Sequence, residues 1–252
     1  VDRRQRQMCI RDRGYLLNGT KMWITNSMYG NCLLVLAKTD LNAKPAHKGM
    51  SAFLCQKNEG YEVSKKLKKL GYRSIDSCEL TLVDKQVSSD ALLGGEERRG
   101  LQQVLGGLEL GRINVAARGP GIAEGALKMA VDYAQERETF GQPISQHQAV
   151  QLKLANMATR VEASKLLVGS AANKFDSGER CDMEAGMAKY FASEAGVFCS
   201  QEAMRIFGGY SYSTEYEIER FYRDAMLMCI GEGTNELQQL IIAKQLLERN
   251  KG

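Results

Sequence analysis

A carboxylate set between two glycines, Glu232 in Gly231-Glu232-Gly233-Thr234, is the group in this 252-residue chain best placed to act as a base. Glycines on both sides let the backbone take angles closed to other residues and let a ligand come close. The apolar run Met226 to Ile230 precedes it and a helical pattern follows it. Thr234 is therefore expected to cap the last helix and leave free amide groups near the carboxylate. The same spacing also describes a capped turn carrying a solvated glutamate. Histidine chemistry is hard to build: His47 lies in the polar stretch AKPAHKG, His147 near a helix start, and neither has a nucleophile beside it. Acid or base work falls to a carboxylate. The seven cysteines (Cys9, Cys32, Cys55, Cys78, Cys181, Cys199, Cys229) show no CxxC pairing. Buried reduced thiols are expected, and no metal centre.

Other residues could hold a ligand. Arg137 opens the loop Arg137-Glu-Thr-Phe140-Gly141-Gln-Pro143, where a guanidinium can stay solvated or clamp a phosphate with its forked donors. Trp23, the single tryptophan, stands before Ile24-Thr25-Asn26 at a strand end. Filling a core is its default role, although an indole also suits covering a flat ring. Gly119-Pro-Gly121-Ile-Ala-Glu-Gly125 has the wrong spacing for a dinucleotide fingerprint and no strand before it. Gly208-Gly209 reads first as a helix end using backbone angles open to glycine.

The elements that must position these groups change period once along the chain. The first thirteen residues carry five arginines and no periodicity, and are expected to be an unstructured tail or a junction artefact. From Gly14 the chain reads as strands and turns. Asn18-Gly19 in GYLLNGTKMWIT predicts a hairpin, and CLLVLAKTD, MSAFLCQ, YEVSKKL and CELTLVD continue the pattern. After GGEERRG at 94 to 100 apolar residues recur every three or four. This predicts helices over Leu101–Gln135, Gln146–Ser177, Met183–Phe207 and Asn235–Arg249, with Pro120 kinking or interrupting the first. The fold class expected is α+β: a small antiparallel β-sandwich or barrel over 14–95, then an antiparallel four-helix bundle over 96–252.

Composition excludes several classes. Charged residues are 25% and apolar residues 44% of the chain, and the formal net charge is +4, so nothing marks a nucleic-acid binder. No apolar run reaches the roughly 18 to 20 residues of a membrane helix, and the N-terminal stretch has no apolar core for a signal peptide. The expected location is the cytoplasm, or the mitochondrial matrix in a eukaryote.

Five ordered segments, KMWITN at 21–26, LELGR at 108–112, RETFGQPISQHQ at 137–148, RIFGGYSY at 205–212 and GEGTNELQQLIIAKQLL at 231–247, together resemble the acyl-CoA dehydrogenase family. The resemblance runs from about Gly14 to the end. It implies FAD as cofactor, an acyl-CoA substrate, an electron-transfer flavoprotein as acceptor, and a homo-oligomer, dimer or tetramer, in fatty acid or amino acid catabolism. Glu232 matches the catalytic base. Trp23 and Thr25 match residues beside the flavin ring, and Arg137, Phe140 and Gln148 contacts to the pyrophosphate and adenosine part. Arg205, Ile206, Gly208 and Gly209 match a segment reaching the FAD of a neighbouring subunit. Thr234, Asn235 and Glu236 match further FAD contacts, and Thr39, Glu109, Arg112 and Gly233 positions lining the acyl-CoA site. Arg205 and Glu236 stand where family members carry, usually or often, Gln. Some relatives place the base on the earlier helix, where this chain has Gly111.

The implied reaction is α,β-dehydrogenation to a trans-2-enoyl-CoA. Side chains cannot accept hydride, so the flavin must, while Glu232 takes the α-proton. A carboxylate does this only where water is excluded and the thioester oxygen is polarised. Family members begin with a helical domain of about a hundred residues and carry an acidic-Pro-Gly-Ser loop, neither of which is found in these 252 residues. The resemblance therefore implies uncovered apolar faces, weak FAD binding and little activity for this chain alone. Alternatives are a flavin oxidase or monooxygenase on the same fold, and an inactive fragment acting as a scaffold. Small residues at Gly111 and Gly231 hint at room for branched acyl groups.

Overall fold

The computed structural model describes residues 7–10 and 14–251. Two compact units divide the chain: residues up to 69 with 73–107, and 70–72 with 108 onward.

The first unit is all-β. Strands β1 (Gln7–Ile10), β2 (Gly14–Thr25), β3 (Cys32–Lys38), β4 (Met50–Gln56), β5 (Tyr61–Lys66) and β6 (Ser77–Val87) form two antiparallel sheets, ordered β1-β2-β6-β5 and β3-β4. Inward residues of both sheets, Leu17, Val35, Phe53, Cys55, Leu80 and Leu82 among them, share one core, as expected of a sandwich.

Two expectations need correction here. Gln7–Ile10 falls in the stretch expected to be a tail, yet it pairs with β2 from Gln7↔Leu17 to Ile10↔Gly14; the rest of that stretch lies outside the described residues. Asn18-Gly19 is no hairpin turn, because β2 runs through it as a single strand. The type I′ turn that Asn-Gly favours would need positive φ at both residues, and of the two only Gly19 has it. Instead the Asn18 side chain is spent across the sheet, donating to Asp84 Oδ1 at 2.9 Å and accepting from the Asp84 amide at 2.8 Å. The extra residue is absorbed as a register shift between Leu17 and Gly19.

The second unit is helical. It contains α1 (Gly100–Glu136, whose first eight residues belong to the first unit), α2 (Gln148–Asp176), α3 (Asp182–Phe207), α4 (Ile218–Ile230) and α5 (Asn235–Arg249), and a two-stranded hairpin of β7 (Glu138–Thr139) and β8 (Gln142–Pro143). Four helices were expected and five are present among the described residues, because Ile218–Ile230 is a helix burying Ile218, Ala225 and Met228. Pro120 does not interrupt α1. Gly119 and Gly125, on either side of Pro120, serve helix packing. A Cβ on Gly119 would stand 2.3 Å from the Ala192 carbonyl, and one on Gly125 2.5 Å from the Phe221 ring, so no phosphate loop is formed. The boundary departs from residue 95 because the first eight residues of α1 group with the first unit, and residues 70–72 join the second by docking on α4, where the Tyr72 amide donates to Asp224 Oδ1 at 2.7 Å.

Candidate functional site

Glu232 sits in the turn between α4 and α5 with a left-handed φ of 55° and an exposed side chain. Gly233 follows at φ 88°, where a Cβ would meet Gln238 Nε2 at 2.8 Å, so only glycine fits. Thr234 caps α5 as expected, its hydroxyl accepting from the Leu237 amide at 3.4 Å. Glu236 lies in the first helical turn, where its own backbone amide, then the Thr234 hydroxyl, hold its carboxyl below the usual range. The turn faces α1, and a Cβ on Gly111 would stand 3.0 Å from Glu232 Oε2. The two positions from which the family resemblance draws its base thus converge on one spot.

Beneath the turn lies a polar cluster of which sequence reasoning named only Asn235, as an FAD contact, although its side chain is turned inward and bonded to α3. Lys189 of α3 and Gln238 of α5 are both buried, and Gln238 Nε2 donates to the carbonyls of Glu232 and Gly233 at 3.3 and 3.2 Å. Asn235 is also buried: Oδ1 accepts from Lys189 Nζ at 2.9 Å and Ser193 Oγ at 3.0 Å, and Nδ2 donates to Glu194 at 2.7 Å. Its side chain holds the turn from inside. Lysine at a helical position normally reads as surface, so no sequence signal marks Lys189.

On the same unit, Arg137 and the residues Ile206, Phe207, Gly208, Gly209 and Tyr210 line one cleft of about 490 Å³. Arg137 is exposed, with its guanidinium 5.9 Å from the Tyr210 ring centre. Gly208 takes φ 62°, and a Cβ at Gly208 or Gly209 would meet no atom within 4 Å. Arg205 is paired with Glu202 at 2.5 Å and keeps an exposed side chain. Phe140 and Gly141, both at positive φ, form the tip of the β7–β8 hairpin, with Phe140 97% exposed. Gln148 is exposed at the first position of α2.

Of the residues expected at the acyl-CoA site, Arg112 carries a buried Nε with no acceptor, while Glu109 accepts from Cys181 Sγ at 3.2 Å. Burial, ahead of the Glu109 carboxylate, pushes the Cys181 thiol up to about 12, so it is an inert donor. The first unit holds Trp23, Thr25 and Thr39. Trp23 does not fill a core. It falls within the register shift between Lys21 and Ile24 at φ 63° and is 65% exposed, since the bulge turns it outward. Thr25 is exposed at the end of β2, and the half-buried Thr39 shares a 2.7 Å hydrogen bond with Ser51.

Among the described residues, seven other than glycine take positive φ, and three of these are Trp23, Phe140 and Glu232. Such angles cost free energy and concentrate at working sites. No group of three or more metal-ligating side chains is found among the described residues, nor any helix long and apolar enough to cross a membrane.

Residues 98–247 match the family described as acyl-CoA dehydrogenase, C-terminal domain, and residues 2–85 that described as acyl-CoA dehydrogenase, middle domain. An acyl-CoA dehydrogenase of Bacillus subtilis is 44% identical, covering 96% of this chain and 64% of its own length. A 3-(aryl)acrylate reductase of Clostridium sporogenes is 43% identical over 93% of this chain and 62% of its own length. The structure of butyryl-CoA dehydrogenase from Megasphaera elsdenii superposes with a TM-score of 0.89 at 39% identity, covering 92% of this chain and 60% of that one. The chain thus spans somewhat under two thirds of the relatives it matches, and it belongs to the acyl-CoA dehydrogenase family.

Proposed function

We propose that this chain carries the proton-abstracting and flavin-holding part of an FAD-dependent acyl-CoA dehydrogenase, with Glu232 as the base. The observation that carries the reading is Glu232 itself: an exposed carboxylate held in a left-handed turn against the open Cα of Gly111. FAD, when bound, would supply the hydride acceptor for the β-carbon. The residues present suit it. Trp23 offers an outward indole face, and Arg137 an exposed guanidinium for a pyrophosphate. Gly208 and Gly209 leave open space beside Arg137 where other residues would put a side chain. Because Arg137 and Ile206 to Gly209 line one cleft, we assign both segments to the same cofactor molecule. Arg205 would add positive charge at its edge.

Glu232 would accept the α-proton of a thioester lying along α1. Arg112, with its unsatisfied buried donor, would face the acyl-CoA from the same helix. An electron-transfer flavoprotein would be the acceptor, and the assembly a homo-oligomer. One relative is named as a reductase, and the same residues serve the reverse direction, Glu232 then returning a proton to the α-carbon.

The test joins the chain to the N-terminal helical domain of a relative and measures flavin absorbance and dye reduction across a panel of acyl-CoA thioesters. FAD uptake and acyl-CoA-dependent dye reduction are expected. Rapid oxygen consumption without dye would make it an oxidase, and absence of flavin would contradict the proposal.

A further inference from the structure

We infer that Lys189 is the residue that positions the Glu232 turn, holding its backbone from beneath so that the carboxylate is presented toward α1. The inference rests on Glu232 being the base. Lys189 stands in the middle of α3, 0% exposed. Its Nζ donates to the Gly233 carbonyl at 2.8 Å, to Asn235 Oδ1 at 2.9 Å and to the Cys229 carbonyl at 3.3 Å. An ammonium has three hydrogens, and these acceptors take all three. They come from the last turn of α4, from the turn itself and from the first residue of α5. One point charge therefore ties two backbone carbonyls and one side chain, from three consecutive pieces of chain, to a fourth element.

The geometry explains why the turn needs such a tie. Glu232 at φ 55° occupies a region that residues with side chains seldom adopt, and it persists only where neighbours over-determine it. Gln238 Nε2 binds the carbonyls of Glu232 and Gly233 from the α5 side, and Lys189 binds those of Gly233 and Cys229 from the α3 side. With these carbonyls drawn inward, the Glu232 side chain is left exposed on the opposite side of the turn, where it meets Gly111. A buried ammonium is tolerated only when every hydrogen is matched, and this one is. Full occupation also fixes its role: Lys189 faces carbonyls, so it is a positioning residue and takes no part in the chemistry.

Lys189→Met keeps the length and burial of the side chain and removes all three donors. On the 252-residue chain, amide hydrogen exchange of residues 230–236 is expected to speed up by about tenfold or more while α2 stays protected, because local opening follows the lost bonds. In the flavin-loaded, domain-joined enzyme, kcat is expected to fall by about 30-fold with KM within about threefold and flavin content unchanged, since small misplacement of a reacting group costs rate rather than binding. A general loss of folding would lower flavin content instead. Should Lys189→Met fail to fold, Lys189→Gln keeps a polar end but shortens the side chain and removes the ammonium, and the same two measurements apply. Unchanged exchange at 230–236, or unchanged kcat, in the variant that folds would overturn the inference. Turnover that survives Glu232→Gln would overturn the base assignment instead, so the two failures are distinguishable.

Discussion

Glu232 and Gly111 are fitted to each other: a Cβ on Gly111 would stand 3.0 Å from Glu232 Oε2 and 3.5 Å from its Cδ. Gly111 lies inside α1, where glycine costs about 0.5–1 kcal/mol relative to alanine. Gly111→Ala should therefore stabilise the chain by about that amount in urea unfolding. The methyl group would displace the end of the Glu232 side chain by a few tenths of an ångström, and kcat in the domain-joined enzyme should fall by roughly three- to tenfold. A variant that is both more stable and fully active would show that the carboxylate does not work from this position.

The two glycines beside Glu232 look alike in the sequence and differ in the structure. Gly233 has φ 88° and would press a Cβ against Gln238 Nε2 at 2.8 Å, whereas Gly231 has φ −70° and only the Leu227 carbonyl within 3.3 Å. Gly233→Ala should lose about 1–2 kcal/mol of stability, and Gly231→Ala less than about 0.5 kcal/mol. Denaturant titration of both variants side by side checks the ordering; equal losses would contradict the turn geometry.

The far end of the helical unit carries a pH-dependent contact. The Arg249 guanidinium grips both Glu184 oxygens at 2.7 and 3.0 Å, with Lys174 Nζ at 2.7 Å. These bonds, that from Arg249 foremost, hold the Glu184 carboxyl at about 2, down from 4.5. A folded-state value depressed in this way gives stability that is complete above the unfolded pKa near 4.5 and is lost as pH falls from there toward 2. Glu184→Gln should cost roughly 1–2 kcal/mol at pH 7, less than the full shift implies because Arg249 is 34% exposed. Unfolding curves of the two proteins should converge as pH drops below 4; a constant gap would contradict the ion pair.

Much of this architecture was legible from periodicity and turn residues. The switch from strands to helices and the Thr234 cap follow from patterns visible along the chain, whereas Gly111 entered only through the family resemblance and its proximity to Glu232 is seen only in the fold. What was hidden depends on partners remote in sequence. Asn18-Gly19 reads as a turn until Asp84 is known to lie across from it. Ile218–Ile230 escaped because its dense charges, Glu219, Arg220, Arg223 and Asp224, mask a stripe of only three buried residues. Trp23 reads as core because an outward indole requires a bulge, which only the pairing with β6 reveals. Lys189 reads as surface because three acceptors brought to it by α4, the turn and α5 make its burial tolerable.

The most direct test of the central claim is the turnover of Glu232→Gln in the domain-joined enzyme with its best acyl-CoA substrate. Glutamine keeps the size of the side chain and cannot accept the α-proton. The account predicts bound FAD at the level of the unaltered enzyme and a kcat lower by about a thousandfold, the range in which a positioned general base contributes. Turnover within about tenfold of the unaltered enzyme, with flavin fully bound, would contradict it.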